Sequence, residues 1–273
     1  MKYFVSDLIV GMGGIEDFGA WVSSVGRDDF GAEFSAFTHD DAYWTRLAEH
    51  VVPACTAPMT FHGPYVNIEA TSPLDSPAHA HLMESYRRVF ALAARYGVRH
   101  VVFHYSQLHF APEAVPAAQK NACAVMRALN GEAHALGVRF VIENLCRHPE
   151  EGTHLFTNEE YFRIFEDIPD AEALIDIGHA NVNGLDVERF LAQYGPRVRG
   201  FHVHNNDGLR DLHRDYHNGT ADIRAVMRWA GQYTDDADIV IEYEPHEHLT
   251  HAELLEEIDE LKGWVEEGAR RKA

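Results

Sequence analysis

Residues 100–143 read HVVFHYSQLHFAPEAVPAAQKNACAVMRALNGEAHALGVRFVIE, and they contain a strand, a helix and a second strand. The two ends of this stretch, 100–104 (HVVFH) and 138–143 (VRFVIE), are short and almost continuously apolar. Between them, apolar residues recur at helical spacing, at Ala118, Ala122, Val125, Met126, Leu129 and Ala133. Gly137 follows and is predicted to end the helix. Strands that are apolar on both faces are typical of parallel sheets covered by helices. The stretch therefore predicts an α/β protein with a parallel sheet.

The same alternation continues along the chain. Eight runs are predicted as strands: 3–10, 30–34, 59–62, 100–104, 138–143, 173–176, 198–204 and 239–242. The last helix is predicted to begin near Thr250, with Glu253 completing a capping box. Eight strand–helix units in 273 residues predict one (β/α)₈ barrel domain over residues 1–273. A doubly wound open sheet is the alternative, but residues 11–14 (GMGG) lack the glycine spacing of its phosphate-binding turn.

Composition limits the classes of partner. The chain has 23 basic and 43 acidic residues, and this formal charge of −20 disfavours a nucleic acid or an anionic membrane as a partner. The apolar run at residues 1–10 is interrupted by Asp7, and we expect a buried strand there instead of a signal peptide or membrane span. Cys55, Cys123 and Cys146 form no CxxC pair, which predicts free thiols and a cytoplasmic protein.

Six of the predicted strands end on a side chain that can bind a metal. These are His62, His104, Glu143, Asp176, His202 and Glu242. The carboxyl ends of barrel strands converge on one mouth, so these groups are predicted to meet there. A single histidine at a strand end is more often a hydrogen-bonded core residue, but six such ends together favour a divalent metal site. A cation would also offset the repulsion between buried carboxylates.

The later strands add further candidates. His179 follows Asp176 by three residues, and His204 shares a strand face with His202, so one ring of that pair could bind metal and the other substrate. Two D-x-H pairs then compete for a place in the site, 211/213 and 215/217, ahead of 219–222 (GTAD).

In this order, several segments resemble the xylose isomerase-like superfamily, which includes sugar (phosphate) isomerases and epimerases and endonuclease IV. The segments are HGPY (62–65), FH (103–104), VIEN (141–144), IDIGH (175–179), HVHNNDGLRDLH (202–213), GTAD (219–222) and VIEYEP (240–245). The resemblance covers strands three to eight.

The resemblance to the isomerases implies an enzyme with a divalent metal, Mn²⁺, Zn²⁺, Co²⁺ or Mg²⁺. Its implied ligands are Glu143, Asp176, His202 and Glu242. The two glutamates would also move a proton on opposite faces of a carbon next to a carbonyl, through an enediolate. His179 and His204 would contact the sugar or sugar phosphate, and Arg147 or Arg210 could reach a distal hydroxyl or phosphate. A homo-oligomer is common in the family.

The resemblance to endonuclease IV implies three zinc ions held by nine residues. These are His62, His104, Glu143, Asp176, His179, His202, Asp211, His213 and Glu242. This chain departs from the family's HxxD segment, because Asn205 stands at the aspartate position if His202 is the ligand, whereas Asp207 stands there if His204 is. The strand-seven ligand therefore stays open between the two histidines.

These observations favour a metal-dependent sugar isomerase or epimerase. The alternatives are an endonuclease IV-like zinc phosphodiesterase, against which the net charge argues, and a sugar-directed lyase or dehydratase on the same barrel. A non-enzymatic binding protein is a further class, but it would have no need of Glu143 and Glu242.

Overall fold

Eight parallel strands form a closed barrel in the order β1-β2-β3-β4-β5-β6-β7-β8. The computed structural model describes residues 1–106, 108–146, 154–247 and 249–271. The strands are β1 (Tyr3–Ser6), β2 (Phe30–Ser35), β3 (Met59–His62), β4 (Val101–Phe103), β5 (Phe140–Glu143), β6 (Glu172–Asp176), β7 (Val198–Val203) and β8 (Asp238–Ile241). The parallel pairing of β1 with β8 closes the ring, which confirms the predicted (β/α)₈ barrel and excludes the open sheet.

Helices follow the strands and pack around the barrel. They are α1 (Ile15–Val25), α2 (Asp41–Arg46), α3 (Val52–Ala54), α4 (Pro77–Tyr96), α5 (Val115–Ala135), α6 (Asn158–Asp167), α7 (Ile177–Asn183), α8 (Val187–Tyr194), α9 (Ile223–Tyr233) and α10 (His251–Ala269). A π-helical turn at Leu47–Val51 joins α2 to α3. In the described part of the chain, no helix has the length and apolar character needed to cross a membrane.

Local signals in the sequence define the ends of the long helices. The Ser76 side chain accepts a hydrogen bond from the amide of His79 at the start of α4, and Gly97 ends this helix in the left-handed region. At the start of α10, Thr250 and Glu253 form the predicted capping box.

The first strand is shorter than predicted. It ends at Ser6, and Asp7–Val10 form a 3₁₀ helix. The reason is Asp7, which is buried and accepts hydrogen bonds from the amide and hydroxyl of Ser35 and from the hydroxyl of Tyr43. Burial raises the pKa of Asp7 to about 6, although these hydrogen bonds oppose the shift. A carboxylate with partners on β2 and α2 turns the chain away from the sheet at this point.

The apolar core has two parts. The larger part lies between the outer face of the barrel and the helices, and it includes Phe61, Phe103 and Phe140. A small separate cluster of Val102, Val141 and Leu174 forms a second group, with side chains on adjacent strands β4, β5 and β6. Together they hold the strand ends in fixed relative positions.

Glu257 is a buried carboxylate on the last helix, α10, and is not among the described residues that line the cavity at the strand ends. It is 8% exposed and accepts a hydrogen bond from the hydroxyl of Tyr243 at 2.9 Å. Burial, reinforced by the negative charge of Asp215, raises its pKa from 4.5 to about 7, against the effect of the Tyr243 hydrogen bond. The folded state therefore holds this proton more tightly than the unfolded chain does.

We expect Glu257→Gln to change the pH dependence of stability. Because the folded-state pKa is raised, the wild-type protein loses stability relative to the variant as the pH rises from about 5 to about 8, by up to about 3 kcal/mol. Urea unfolding at several pH values measures the difference. Glu256→Gln, at an exposed position on the same helix, is the control. A stability difference between Glu257→Gln and wild type that is independent of pH would contradict the assignment.

Candidate metal centre

A cavity of about 360 Å³ opens at the carboxyl ends of the strands. Seven of the nine residues predicted as metal ligands line it: His62, His104, Glu143, His179, Asp211, His213 and Glu242. The other two, Asp176 and His202, are fully buried beneath the cavity. The barrel thus brings together residues that are 180 positions apart in the chain, from His62 to Glu242.

The centre of the group is the imidazole of His202, near the end of β7. Its Nδ1 lies 3.3 Å from Glu242 Oε2, 3.6 Å from Glu143 Oε1 and 3.7 Å from Asp176 Oδ2. The three carboxylates come from the ends of β5, β6 and β8, and each is at most 5% exposed. Three buried carboxylates around one imidazole nitrogen form a set of ligand atoms of the kind that binds a divalent cation.

His62 and His104 lie on one side of this centre. His104 Nε2 is 2.8 Å from Glu143 Oε2, and His62 Nε2 is 3.9 Å from the same oxygen. The two rings are 4.6 Å apart at their centroids. Glu143 therefore belongs both to the central group and to a second group with these histidines.

A third group lies on the other side, around Asp211. Its Oδ2 is 3.1 Å from His179 Nε2 and 3.2 Å from His213 Nε2. The ring of His204 stacks on that of His213 with centroids 3.9 Å apart. His213 has a positive φ of 40°, a backbone conformation that few residues other than glycine adopt, so its loop holds the ring in place at some conformational cost.

Electrostatics differ sharply between the two glutamates. Burial raises the pKa of Glu242 to about 8, and the nearby carboxylates of Glu143 and Asp176 add to the shift against the opposing effect of His202 and His213. Burial also disfavours ionisation of Glu143, but His104 and His202 outweigh it and hold its pKa well below 4.5. The environments of the two carboxyl groups therefore displace their pKa values in opposite directions when no cation is bound.

Several buried polar atoms of this region form no hydrogen bond within the described part of the chain. They are Glu143 Oε1, both ring nitrogens of His202, His204 Nδ1 and Asp211 Oδ1. Buried polar atoms normally have partners, so groups left without one point to something that binds them. Three sets have ligand atoms that all lie within 4.8 Å of one another: His62, His104 and Glu143; Glu143, Asp176 and His202; and His179, His204, Asp211 and His213. The residues present therefore fit one or more divalent cations.

The structure separates the competing pairs after β7. Asp211 and His213 lie in the cavity wall, whereas His217 is 53% exposed and contacts Asp215 and Glu260 near α10. Asn205, which would stand at the family's aspartate position if His202 is the ligand, is buried and donates hydrogen bonds to the backbone oxygens of Tyr216 and Ala221. It supports the loop instead of facing the cavity.

Both histidines of β7 lie near carboxylates, so contact alone leaves the strand-seven ligand open. His202 Nδ1 faces the three central carboxylates, while His204, just beyond the strand, places Nε2 3.0 Å from Asp176 Oδ2 and 3.8 Å from Asp211 Oδ1. His202 Nδ1 thus lies near carboxylates from three strand ends, whereas His204 Nε2 lies between Asp176 of the central group and Asp211 of the third group. The first arrangement favours His202 as the ligand in the central group.

The two arginines predicted to contact substrate have different outcomes. Arg210 is 70% exposed and pairs with Asp207, and it is not among the described residues that line the cavity. Arg147 lies outside the described residues.

Sequence reasoning also missed two residues. Tyr65 lines the cavity within HGPY, and Glu33 on β2 is fully buried next to His202. An acidic residue inside the apolar run FGAEF was the available signal for Glu33.

Comparisons with known proteins agree with the fold. Residues 18–268 match the family model described as the xylose isomerase-like TIM barrel. A search against curated protein sequences found no match. Among solved structures, a D-tagatose 3-epimerase-like protein is similar with a TM-score of 0.80 and 19% identity over 100% of both chains.

Two further solved structures are similar over nearly their whole length. D-allulose 3-epimerase from Methylomonas sp., in complex with D-allulose, has a TM-score of 0.68 and 17% identity, covering 100% of this chain and 97% of its own. The IOLI protein with a binding zinc atom has a TM-score of 0.71 and 16% identity, covering 97% and 98%. At these identities the similarity establishes the fold.

We expect Asp176→Asn to weaken metal binding by at least about tenfold, because it removes one negative oxygen from the central group. Titration of the metal-free protein with Zn²⁺ against a chromophoric chelator measures the affinity. Asp215→Asn is the matched control, since Asp215 belongs to the pair outside the cavity. Equal Zn²⁺ affinity in wild type and Asp176→Asn would exclude Asp176 as a ligand.

Proposed function

The chain belongs to the xylose isomerase-like TIM barrel family, and from this we propose that it is a divalent-metal-dependent sugar isomerase or epimerase. The observation that carries the proposal is the pair Glu143 and Glu242, which line one cavity from β5 and from the end of β8 and lie within 3.6 Å of Nδ1 of the buried His202. The similar structures include proteins described as sugar 3-epimerases, one in complex with D-allulose and another protein with zinc, which supports the same class of reaction and cofactor.

The proposed ligands of the catalytic ion are Glu143, Asp176, His202 and Glu242. When bound, a divalent ion polarises the carbonyl and hydroxyl of a ketose and lowers the pKa of the adjacent C–H. Two of the ligands, Glu143 and Glu242, also line the cavity in which a substrate would bind. Asp176 is fully buried and would serve only the ion.

The two glutamates then carry the proton. The ionised Glu143 takes the proton from the carbon next to the carbonyl, and the C–H electron pair moves into an enediolate of the sugar. Glu242, protonated on the oxygen that would not bind the ion, returns a proton to the opposite face of that carbon, which inverts its configuration, or to the neighbouring carbon, which isomerises the sugar. Without a bound cation, the pKa of Glu143 is lowered by His104 and His202, and that of Glu242 is raised by burial.

The described cavity wall offers groups that can bind sugar hydroxyls. Among the described lining residues there is no lysine or arginine to pair with a phosphate. The wall instead offers the hydroxyls of Ser35, Tyr65 and Ser106 and the imidazole of His179, which can hydrogen-bond sugar hydroxyls.

A three-metal phosphodiesterase is the second candidate. The specific observation in its favour is that all nine ligands implied by the endonuclease IV resemblance form three adjacent groups. Three close cations could bind both the attacking and the leaving oxygen of a phosphodiester. Against it stands the charge of −20, which disfavours a DNA backbone. A sugar lyase or dehydratase would use the same central group.

We expect Glu143→Gln and Glu242→Gln each to slow the exchange of solvent deuterium into a ketose substrate by at least about 100-fold, because each removes one proton-transfer group. Mass spectrometry of ketoses incubated with the protein in D₂O measures the exchange. Glu244→Gln, which changes a half-exposed carboxylate at the cavity wall, is the control. Undiminished exchange in both variants, with the fold intact by circular dichroism, would remove the two glutamates from the mechanism.

Metal content separates the two candidate functions. We expect the isomerase or epimerase to retain one tightly bound divalent ion per chain. His213→Ala should leave that number unchanged, because His213 belongs to the third group, around Asp211. Elemental analysis after extensive dialysis gives the count. Three retained zinc ions, reduced by His213→Ala, would favour the phosphodiesterase instead.

A further inference from the structure

We infer that Glu33 is a positioning residue that orients the imidazole of His202 towards the central carboxylates. The inference deepens the proposed function and rests on it, because His202 is one of the four proposed ligands. Glu33 lies on β2, on the opposite side of His202 from the cavity, and it does not line that cavity. It therefore acts, in this proposal, through His202 and not on substrate.

Glu33 is an unusual residue for its place in the barrel. It stands between Ala32 and Phe34 in a strand whose residues are all buried, and its own exposure is 0%. A carboxylate in such a place is strongly disfavoured unless charged or hydrogen-bonding groups surround it. The groups around Glu33 must therefore compensate for its burial.

Its two oxygens have different neighbours. Thr60 on β3 donates a hydrogen bond from its hydroxyl to Oε2 at 3.0 Å, which fixes the plane of the carboxylate. Oε1 then faces His202 Nε2 at 3.0 Å, in a contact bent away from the line of an ideal hydrogen bond. One oxygen is anchored by a neighbouring strand and the other is directed at the imidazole.

This contact determines which nitrogen of His202 carries the proton and which is free to bind a cation among the central carboxylates. A carboxylate can only accept, so Glu33 favours a proton on Nε2 and leaves the lone pair of Nδ1 for the other side. On that side lie oxygens of Glu242, Glu143 and Asp176, all within 3.7 Å of Nδ1. An imidazole that binds a metal through one nitrogen usually directs the other towards a carboxylate or carbonyl, which fixes its orientation.

Beyond His202 and Thr60, Glu33 has a further neighbour in His100, which in turn lies near another carboxylate. His100 Nε2 is 3.9 Å from Glu33 Oε2, and His100 Nδ1 is 3.4 Å from Asp238 Oδ2. Asp238 in turn accepts a hydrogen bond from Arg99 Nε at 2.8 Å. Groups that can carry positive charge thus lie between the carboxylates, which allows Glu33 to stay buried beneath the site.

The same geometry distinguishes the two histidines of β7. His202 has a buried carboxylate within 3.0 Å of Nε2 and another within 3.3 Å of Nδ1, whereas the carboxylates of Asp176 and Asp211 near His204 both lie on its Nε2 side. A ring held from behind presents its ligand nitrogen in one direction. The contact with Glu33 therefore favours His202 over His204 as the strand-seven ligand.

The test is the affinity of the metal-free protein for Co²⁺, together with the visible absorption spectrum of bound Co²⁺. Glu33→Leu removes the carboxylate, and we expect it to weaken Co²⁺ binding by about 10- to 100-fold and to shift the spectrum. Glu33→Gln keeps the size and one acceptor oxygen, so a smaller loss is expected. It also serves if the leucine variant does not fold.

The matched control is Asp7→Asn, which neutralises another buried carboxylate that contacts Ser35 and Tyr43 instead of His202. It should leave the Co²⁺ affinity and spectrum unchanged. If Glu33→Gln and Glu33→Leu bind Co²⁺ as wild type does, the positioning role is wrong and the metal site stands. If wild type itself binds no Co²⁺, the proposed function falls and this inference with it. An equal loss in Asp7→Asn would show a general effect of neutralising a buried carboxylate and would also overturn it.

Discussion

The balance of buried charge is the constraint on which this structure depends. Glu33, Glu143, Asp176 and Glu242 are each at most 5% exposed, and all four lie within 4 Å of the ring of His202. Carboxylates packed this closely inside a protein repel one another unless positive charge lies between them. Imidazoles supply part of that charge, and the proposed cation would supply the rest. Closing the barrel is what forces these groups into one place, because each comes from a different strand.

Much of this arrangement could be predicted from the sequence, for a simple geometric reason. A strand-ending Glu, Asp or His is visible in the sequence, and in a closed parallel barrel all such ends lie on one face. Glu143, Asp176, His202 and Glu242 were identified in this way. The same reasoning failed at β1, because an apolar run continues past Ser6 while the contacts of Asp7 with Ser35 and Tyr43 end the strand.

Other features depend on tertiary contacts that the sequence does not display. Glu33 was missed because it lies within its strand and not at the end, and its role appears only when His202 and Thr60 are seen beside it. The choice between 211/213 and 215/217 depended on a loop whose course includes a positive φ at His213. A resemblance in sequence order could favour one pair, but only the folded loop shows which one lines the cavity.

The cavity has a floor and walls of different origin. The floor consists of side chains at strand ends, which the hydrogen bonds of the closed sheet hold in register. The walls include Leu8, Tyr65, Leu155 and Glu244, which lie in segments that connect strands to helices. Insertions and substitutions in such connections are tolerated far better than changes in the sheet. Selectivity for the shape of a guest molecule can therefore diverge between relatives while the reactive floor is inherited intact.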